Sequence, residues 1–277
     1  MTLTTQHFGT EIPTIGFGTW KLKDETAQEC VSKAIEAGYR MIDTAQAYEN
    51  EKHVGRGIAD AQLPREDLWV TTKVWMSEFA DGDLQKSVEK SLDRLGMDQL
   101  DLVLLHWPNK DVPLDETMGA LNDVHSSGLT KNIGVSNFTT AQLGEAVKLS
   151  KAPILTNQVE YHPFIDQTPV LEAAHALGTS VTAYSPLAQG KVFDNATLKS
   201  IGEKYGKSPA QVTVRWFAQQ PGVITIPRSS SPEHLRQNND IHDFALTPEE
   251  MGQINALKSQ QMRLIDPSWA PEWDKAA

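Results

Sequence analysis

The feature that most limits how this chain can fold is its rhythm. Short apolar runs alternate with longer amphipathic stretches about eight times. The runs that read as strands are residues 14–17, 41–43, 69–74, 100–106, 132–136, 155–160, 180–184 and 223–226. Between them lie helical patterns, such as 25–37, 83–95 and 169–177. Gly38, Gly96, Gly128 and Gly178 each follow a helical stretch, where a left-handed residue commonly ends a helix. Asp101-Leu102-Val103-Leu104-Leu105 is almost continuously apolar, as a parallel strand covered on both faces should be. Eight strand–helix units predict an α/β fold, a parallel (β/α)8 barrel of the TIM type, more than an open sheet. Residues 4–13, centred on Phe8-Gly9-Thr10, predict a β-hairpin capping the barrel bottom. The tail from Ser259 carries Pro267, Trp269, Pro271 and Trp273, and predicts an ordered C-terminal loop over the active-site face. No Pro/Gly/Ser-rich linker divides the chain, so residues 1–277 are expected to form one domain.

Charge and cysteine usage remove several function classes. With 25 basic and 36 acidic residues the formal net charge is -11, the opposite of the basic surplus that nucleic-acid binders usually carry. An anionic ligand would therefore need a locally positive pocket. Cys30 is the only cysteine, so neither an intramolecular disulfide nor a thiolate metal cluster can form. A reducing, cytoplasmic setting is expected, with no metal. The first residues are polar and no window approaches 18 consecutive apolar residues, so neither a signal sequence nor a membrane span is expected. No assembly segment stands out, and a monomer is expected.

In a barrel of this kind, reactive side chains gather at the C-terminal ends of the strands. The polar residues there are Asp43, Lys73, His106, Ser136, Asn137, Gln158, Tyr184 and Ser185, with Tyr48 five residues beyond Asp43. Asp43 and Lys73 should pair, because either one buried alone costs several kcal/mol. Carbonyl reduction needs a proton donor for the developing alkoxide. A tyrosine hydroxyl, with a pKa of about 10, is a weak acid at neutral pH. A neighbouring ammonium is expected to lower that value. A carboxylate keeps the lysine charged and oriented, and a strand-end histidine can hold the carbonyl oxygen. Blander roles fit single residues: a structural ion pair for Asp43 and Lys73, core positions for His106, Tyr184 and Gln158, and packing for Trp75 and Trp107. Trp69 and Trp216 read as packing. His7, His53, His125, His175 and His242 read as surface or packing residues, and His162 receives no assignment.

The order of these residues resembles a known family. Gly38-Tyr39-Arg40-Met41-Ile42-Asp43-Thr44-Ala45, followed by Tyr48, Asn50-Glu51 and Val54-Gly55, closely resembles the first motif of the aldo-keto reductases. Ile133-Gly134-Val135-Ser136-Asn137-Phe138 resembles the second, and Ile226-Pro227-Arg228-Ser229 the start of the third. Thr72-Lys73-Val74-Trp75 and Leu104-Leu105-His106-Trp107-Pro108 match two further catalytic strand ends. Order and spacing agree from about Ile12 to Asn238. The tail, from Arg263-Leu264-Ile265 to Ala270-Pro271-Glu272-Trp273-Asp274, resembles the bacterial 2,5-diketo-D-gluconate reductase branch, particularly its B-type enzymes.

The resemblance implies an NADPH-dependent reductase of small carbonyls, with 2,5-diketo-D-gluconate, methylglyoxal and related dicarbonyls as substrates. It implies Tyr48 as proton donor, tuned by Lys73 and Asp43, with His106 orienting the carbonyl. Ser136, Asn137 and Gln158 match positions that hold the nicotinamide carboxamide, and Tyr184 the residue under the ring. Ser185, Leu187, Gln189 and Gly190 match the loop over the pyrophosphate. Gly18, Thr19 and Trp20 fall where the first strand meets cofactor and substrate, and Gln237 and Asn238 where the family contacts adenine. Trp20, Trp75 and Trp107 would line an apolar substrate mouth together with Tyr48 and His106.

One motif departs from the family. The third usually reads Lys-Ser, four residues, then Arg, and binds the 2′-phosphate of NADPH. Here Arg228 replaces the lysine, His234 stands where the arginine is expected, and Arg236 lies two residues further on. Arg228 keeps a fork suited to phosphate and Ser229 a hydroxyl. Histidine carries less charge than arginine at neutral pH. NADPH remains the expected cofactor, with weaker discrimination against NADH. Two rival readings are a non-catalytic nicotinamide-binding subunit and a metal-assisted isomerase. The complete Asp43, Tyr48, Lys73 and His106 set argues against the first, and the scarcity of strand-end carboxylates against the second. No complete G-x-G-x-x-G suggests a Rossmann enzyme, and no Gly-x-Ser-x-Gly a hydrolase.

Overall fold

The computed structural model describes residues 3–275. The chain opens with an antiparallel hairpin of β1 (Thr4–His7) and β2 (Thr10–Pro13). Eight parallel strands follow: β3 (Phe17–Gly18), β4 (Met41–Asp43), β5 (Trp69–Val74), β6 (Leu102–Leu105), β7 (Ile133–Ser136), β8 (Ile154–Glu160), β9 (Ser180–Tyr184) and β10 (Val223–Thr225). Each pairs with the next in chain order. Helices α1 (Asp24–Glu36), α2 (Glu51–Asp60), α3 (Asp83–Leu95), α4 (Leu114–Ser126), α5 (Thr140–Leu149), α6 (Thr168–Ala176), α7 (Ala196–Tyr205) and α8 (Pro209–Ala218) connect them, and α9 (Pro232–Asn239) and α10 (Pro248–Asn255) follow the last strand. This is the α/β barrel expected. Gly38, Gly96, Gly128 and Gly178 all have positive φ, between 69° and 97°, as their helix-end positions require.

The first strand differs from its expected span of 14–17. β3 pairs with β4 only at Phe17 and Gly18, whereas Ile15 forms a parallel bridge with Thr225. Two amides close the ring there: Gly16 donates to the Thr225 carbonyl at 2.8 Å, and Thr225 donates to the Thr14 carbonyl at 2.9 Å. The segment crosses the seam, bonding first to β10 and then to β4, and so splits what reads as one strand. Gly18 permits the crossing. A Cβ there would lie 2.9 Å from the Ile226 carbonyl oxygen, too close for any other residue. The expected strand at 100–106 also shortens: Leu100 makes only an isolated bridge to Thr130, while the His106 amide still donates to Val74.

Strand periodicity divides the apolar side chains into two sets. Ile42, Val70, Val103, Leu105, Val181 and Val223 point outward to the helices. Met41, Trp69, Leu102, Leu104, Leu155 and Ile224 fill the lumen, with Ile12 of the hairpin below them. Burying such a side chain contributes roughly 1.5–3 kcal/mol. The hairpin sits at the strands' N-terminal end, where the His7 Nδ1 lies 3.3 Å from the Gly178 carbonyl oxygen. A register shift lies between β7 and β8, from Ile133 opposite Ile154 to Val135 opposite Asn157. Leu155 fills the lumen below the shift; above it the even-numbered residues of β8 face inward. Trp69 and Trp216 are buried packing residues, as expected. No helix among the described residues is long and apolar enough to cross a membrane.

Candidate active site

The inward positions that are apolar at the bottom of the barrel become polar at the top. Two residues above Met41 on β4 stands Asp43; two above Leu104, just past β6, stands His106; Lys73 takes the corresponding position on β5. The four residues singled out from the sequence meet there. The Lys73 ammonium donates to Asp43 Oδ1 at 2.5 Å, to the Thr44 carbonyl at 2.9 Å and to the Tyr48 hydroxyl at 3.4 Å, using all three protons. Gln158 Nε2 donates to the other Asp43 oxygen at 2.7 Å. The Tyr48 and His106 rings meet edge to face at 5.7 Å, and Trp75 packs edge-on against His106 at 5.2 Å.

Tyr48 ends a single 3-10 turn, Gln46–Tyr48, and the motif around it explains why it stays in place. Gln46 Oε1 accepts from the Trp75 amide at 3.0 Å, and its Nε2 donates to the hydroxyls of Ser87 and Ser91 on α3. Asn50 donates to the carbonyls of Thr19 and Leu22 and accepts from Thr44 Oγ1. Glu51, buried, accepts from Thr72 Oγ1 and Arg94 Nε. These motif residues lie behind the site and brace the turn.

Electrostatics correct one expectation. Burial, reinforced by the Asp43 charge, pushes the Tyr48 phenol well above its usual value of 10, where a lowering by Lys73 was expected. The physical reason is that desolvation of a phenolate at this buried position outweighs the help of an ammonium already paired with Asp43. Burial lowers the Lys73 pKa from 10.5 despite the opposing pull of Asp43. Burial, with the Lys73 charge second, holds His106 well below 6.5, so its imidazole is neutral around pH 7. Its Nδ1 is buried without a hydrogen-bond partner.

A cleft opens over this cluster. Its inner cavity, about 470 Å³, is lined by Gly18, Trp20, Asp43, Tyr48, Trp75, His106, Trp107, Ser136, Asn137, Gln158, Tyr184, Ser185, Ile226 and Arg228. Lys73 lies just beneath, 1% exposed. Ser136 Oγ donates to the Gln158 carbonyl at 2.8 Å. Asn137 Nδ2 donates to the His106 carbonyl, and its Oδ1 accepts from the Tyr184 hydroxyl at 2.8 Å, which fixes that ring in the wall. Gln158 is left with Oε1 available to the cavity.

A second cavity, about 380 Å³, continues from the first through Trp20, Ser185, Pro186 and Arg228. It brings together Leu187, Gln189, Gly190, Ser229, His234, Gln237 and Asn238. Lys21 and Arg228 line it and no carboxylate does, in a chain with a net charge of -11. The backbone at Lys21, Asn137, Ser185 and Gln189, which all line one cavity or the other, has positive φ, a strained conformation for residues with a Cβ. Two expected contributors lie elsewhere. Thr19 is fully buried, its hydroxyl donating to the Asp43 carbonyl, and Pro227 lines neither cavity, its carbonyl accepting from the Gly18 amide.

Sequence reasoning did not single out Lys21, Ala47, Pro186 and Phe193, which also line the cleft. Leu264, Ile265, Pro267 and Trp269 stood out only as parts of the tail, and Asp266 not at all, yet all five are wall residues. The two tail tryptophans were the available signal. Trp269 packs edge-on against Trp75 and Trp273 against Trp107, both at 6.0 Å. Among the described residues no group of three or more His, Cys, Asp or Glu side chains could hold a metal ion.

Comparison with known proteins agrees with this geometry. The chain is 42% identical over 256 residues to glyoxal reductase from Bacillus subtilis (strain 168), covering 92% of each chain. It is 39% identical over 267 residues to methylglyoxal reductase DkgB from Escherichia coli O157:H7, covering 95% of this chain and 99% of that one. Among solved structures, a candidate 2,5-diketo-D-gluconic acid reductase B superposes with a TM-score of 0.97 at 44% identity, covering 99% of this chain and 98% of the other. A Bombyx mori aldo-keto reductase in complex with NADP superposes with a TM-score of 0.91 at 34% identity, covering 99% and 98%. With residues 14–259 matched by the model of the aldo/keto reductase family, the chain belongs to that family and is an oxidoreductase enzyme.

Proposed function

We propose that the protein reduces small aldehydes and ketones to alcohols with NADPH, preferring dicarbonyls such as methylglyoxal, glyoxal and 2,5-diketo-D-gluconate. The observation that carries this reading is the Tyr48 hydroxyl, hydrogen-bonded to Lys73 beside His106 at the floor of an apolar-walled cleft. The relatives named for glyoxal and methylglyoxal reduction support the substrate class. A bound nicotinamide would supply a hydride for the carbonyl carbon. The residues of the cleft suit such a group: Tyr184 offers a fixed aromatic face, Gln158 offers its free Oε1 beside Ser136 and Asn137 in the wall, and Lys21, Arg228, Ser229 and His234 surround the carboxylate-free outer cavity.

In this mechanism His106 fixes the substrate oxygen. Leaving its buried Nδ1 as an unpaired acceptor costs less than burying an unpaired N–H, which favours the tautomer with the proton on Nε2, available to a carbonyl oxygen. Tyr48 then gives its proton to that oxygen. Its raised pKa does not prevent this, because the alkoxide formed by reduction is a stronger base than a phenolate. The high value keeps the phenol protonated until that charge develops. Lys73 stabilises the resulting phenolate, and Asp43 orients Lys73 and Gln158 together. Trp20, Trp75 and Trp107 exclude water from the reacting carbon.

The test is a carbonyl panel run in parallel with NADPH and NADH, following loss of reduced cofactor. Methylglyoxal should be turned over faster with NADPH. Tyr48→Phe should lower kcat by at least about 100-fold while leaving NADPH affinity near wild type. Retained turnover in that variant, or no oxidation with any aldehyde or ketone, would remove the assignment.

A further inference from the structure

We propose that Glu160 is a positioning residue for substrate, acting through the C-terminal strap that walls the cleft. Glu160 ends β8 with no exposed surface, and it does not line the cleft. Its two carboxylate oxygens accept backbone amides from residues more than a hundred positions away: Leu264 to Oε1 at 2.7 Å and Ile265 to Oε2 at 2.8 Å. The third donor is His162 Nε2, 2.9 Å from Oε1. His162 Nδ1 accepts from the Phe164 amide, so the ring proton sits on Nε2 and points at Glu160. Gln167 Nε2 closes the loop by donating to the Glu160 carbonyl at 2.6 Å.

The two residues gripped by the carboxylate are themselves cleft wall, and the chain then runs through Asp266, Pro267 and Trp269, also wall. At its far end the strap is fastened again. Asp274 accepts the Thr140 amide and hydroxyl at 2.9 and 2.7 Å, at the start of α5. Between the two fastenings Trp273 donates to Asp266, and from just before the first the Arg263 guanidinium lies 3.9 Å over the Trp273 ring. Burying a carboxylate is costly unless donors come to it, and here two of the three come from the strap. Apolar residues would serve a strand end that needed only packing. Glu160 therefore sets the register of the strap, and with it the position of Ile265 and Trp269 in the wall of the cavity that Tyr48 also lines. A wall displaced at one end weakens contact with the parts of a substrate remote from its carbonyl, so the effect grows with substrate size.

This proposal rests on the carbonyl-reductase reading, and the test separates the two. Glu160→Gln and Asp274→Ala are compared with wild type by hydrogen–deuterium exchange across residues 262–270. Kinetics are measured with methylglyoxal and with a bulkier aromatic aldehyde, and NADPH binding by fluorescence titration. The Glu160 variant should exchange faster at Leu264 and Ile265 and raise KM for the aromatic aldehyde by about tenfold, the loss of one charge-assisted hydrogen bond. Its kcat and NADPH affinity should stay near wild type, and the KM for methylglyoxal should rise less. Asp274→Ala should act in the same direction. Combining the two should add little, because they release the same segment. An unchanged KM with faster exchange overturns the proposal. So does weakened NADPH binding with normal KM, which would mean that Glu160 acts through neighbouring Tyr184. If the Glu160 variant fails to fold, Asp274→Ala alone decides, and normal exchange and KM there overturn the proposal. If wild type reduces no carbonyl, the functional reading falls, and the exchange comparison alone judges the strap.

Discussion

Asp43→Asn tests the ion pair on which the site is built. Lys73 and Asp43 have side chains only 1% and 3% exposed, with 2.5 Å between Nζ and Oδ1. Removing one partner of a buried pair typically costs about 3–5 kcal/mol, because the other charge is left uncompensated. Asparagine retains one acceptor for Lys73 but turns an NH2 toward the Gln158 NH2, so a loss of about 3 kcal/mol is expected at pH 7. For a chain of this size that corresponds to a fall in Tm of roughly 6–12 °C. The sign of the pH dependence follows from Lys73. Its folded pKa lies below 10.5 even with Asp43 beside it, and falls further without that charge. Between the folded value and 10.5 the unfolded chain binds more protons, so stability rises with pH. The deficit of the variant should therefore be largest near neutrality and shrink toward pH 10, read by urea unfolding at several pH values. Adding Lys73→Met removes the remaining buried charge and should restore most of the stability while turnover stays absent. That pattern distinguishes a catalytic pair from a structural one. A single variant within about 1 kcal/mol of wild type at pH 7, with a flat pH profile, would refute the argument.

Other outcomes follow from the same geometry. His106 is held well below 6.5, so below that pH the unfolded chain takes a proton the folded chain refuses. Stability should decline as pH falls through that window, and His106→Gln should flatten the slope in urea melts at pH 5 to 7. His234→Arg adds a permanent cation to the outer cavity and should tighten NADPH by about tenfold with little effect on NADH, read by titration of each cofactor. Gly18→Ala drives a Cβ toward the Ile226 carbonyl at the barrel seam and should cost about 1–3 kcal/mol in denaturant unfolding.

Much of the site was legible because strand ends are a local property. Asp43 and His106 each close an apolar run, Lys73 stands near the end of Trp69-Val70-Thr71-Thr72-Lys73-Val74, and alternation along a strand sends every second residue to the same face. The turn bearing Tyr48 was readable from its motif, although only the hydrogen bonds of Gln46, Asn50 and Glu51 show why those residue types accompany it. Lys21 left no signal: a lysine after a tryptophan in a loop looks like solvated charge until Arg228 and the carboxylate-free cavity lie beside it. Thr19 was misplaced for the complementary reason, since its neighbours line the cleft while its own hydroxyl turns away.

By itself, then, the sequence determined the eightfold alternation, the glycine-ended helices and the polar residues at the strand tops. Each depends on spacing along a few residues, which backbone geometry converts directly into direction. Tertiary structure decided the seam at Gly18, the shift between β7 and β8 above which Gln158 turns inward, the path of the tail across the mouth, and the direction of the Tyr48 pKa. Those depend on groups far apart in the chain and on the burial they create together, where desolvation of the phenolate outweighs the pull of a cation already paired to a carboxylate.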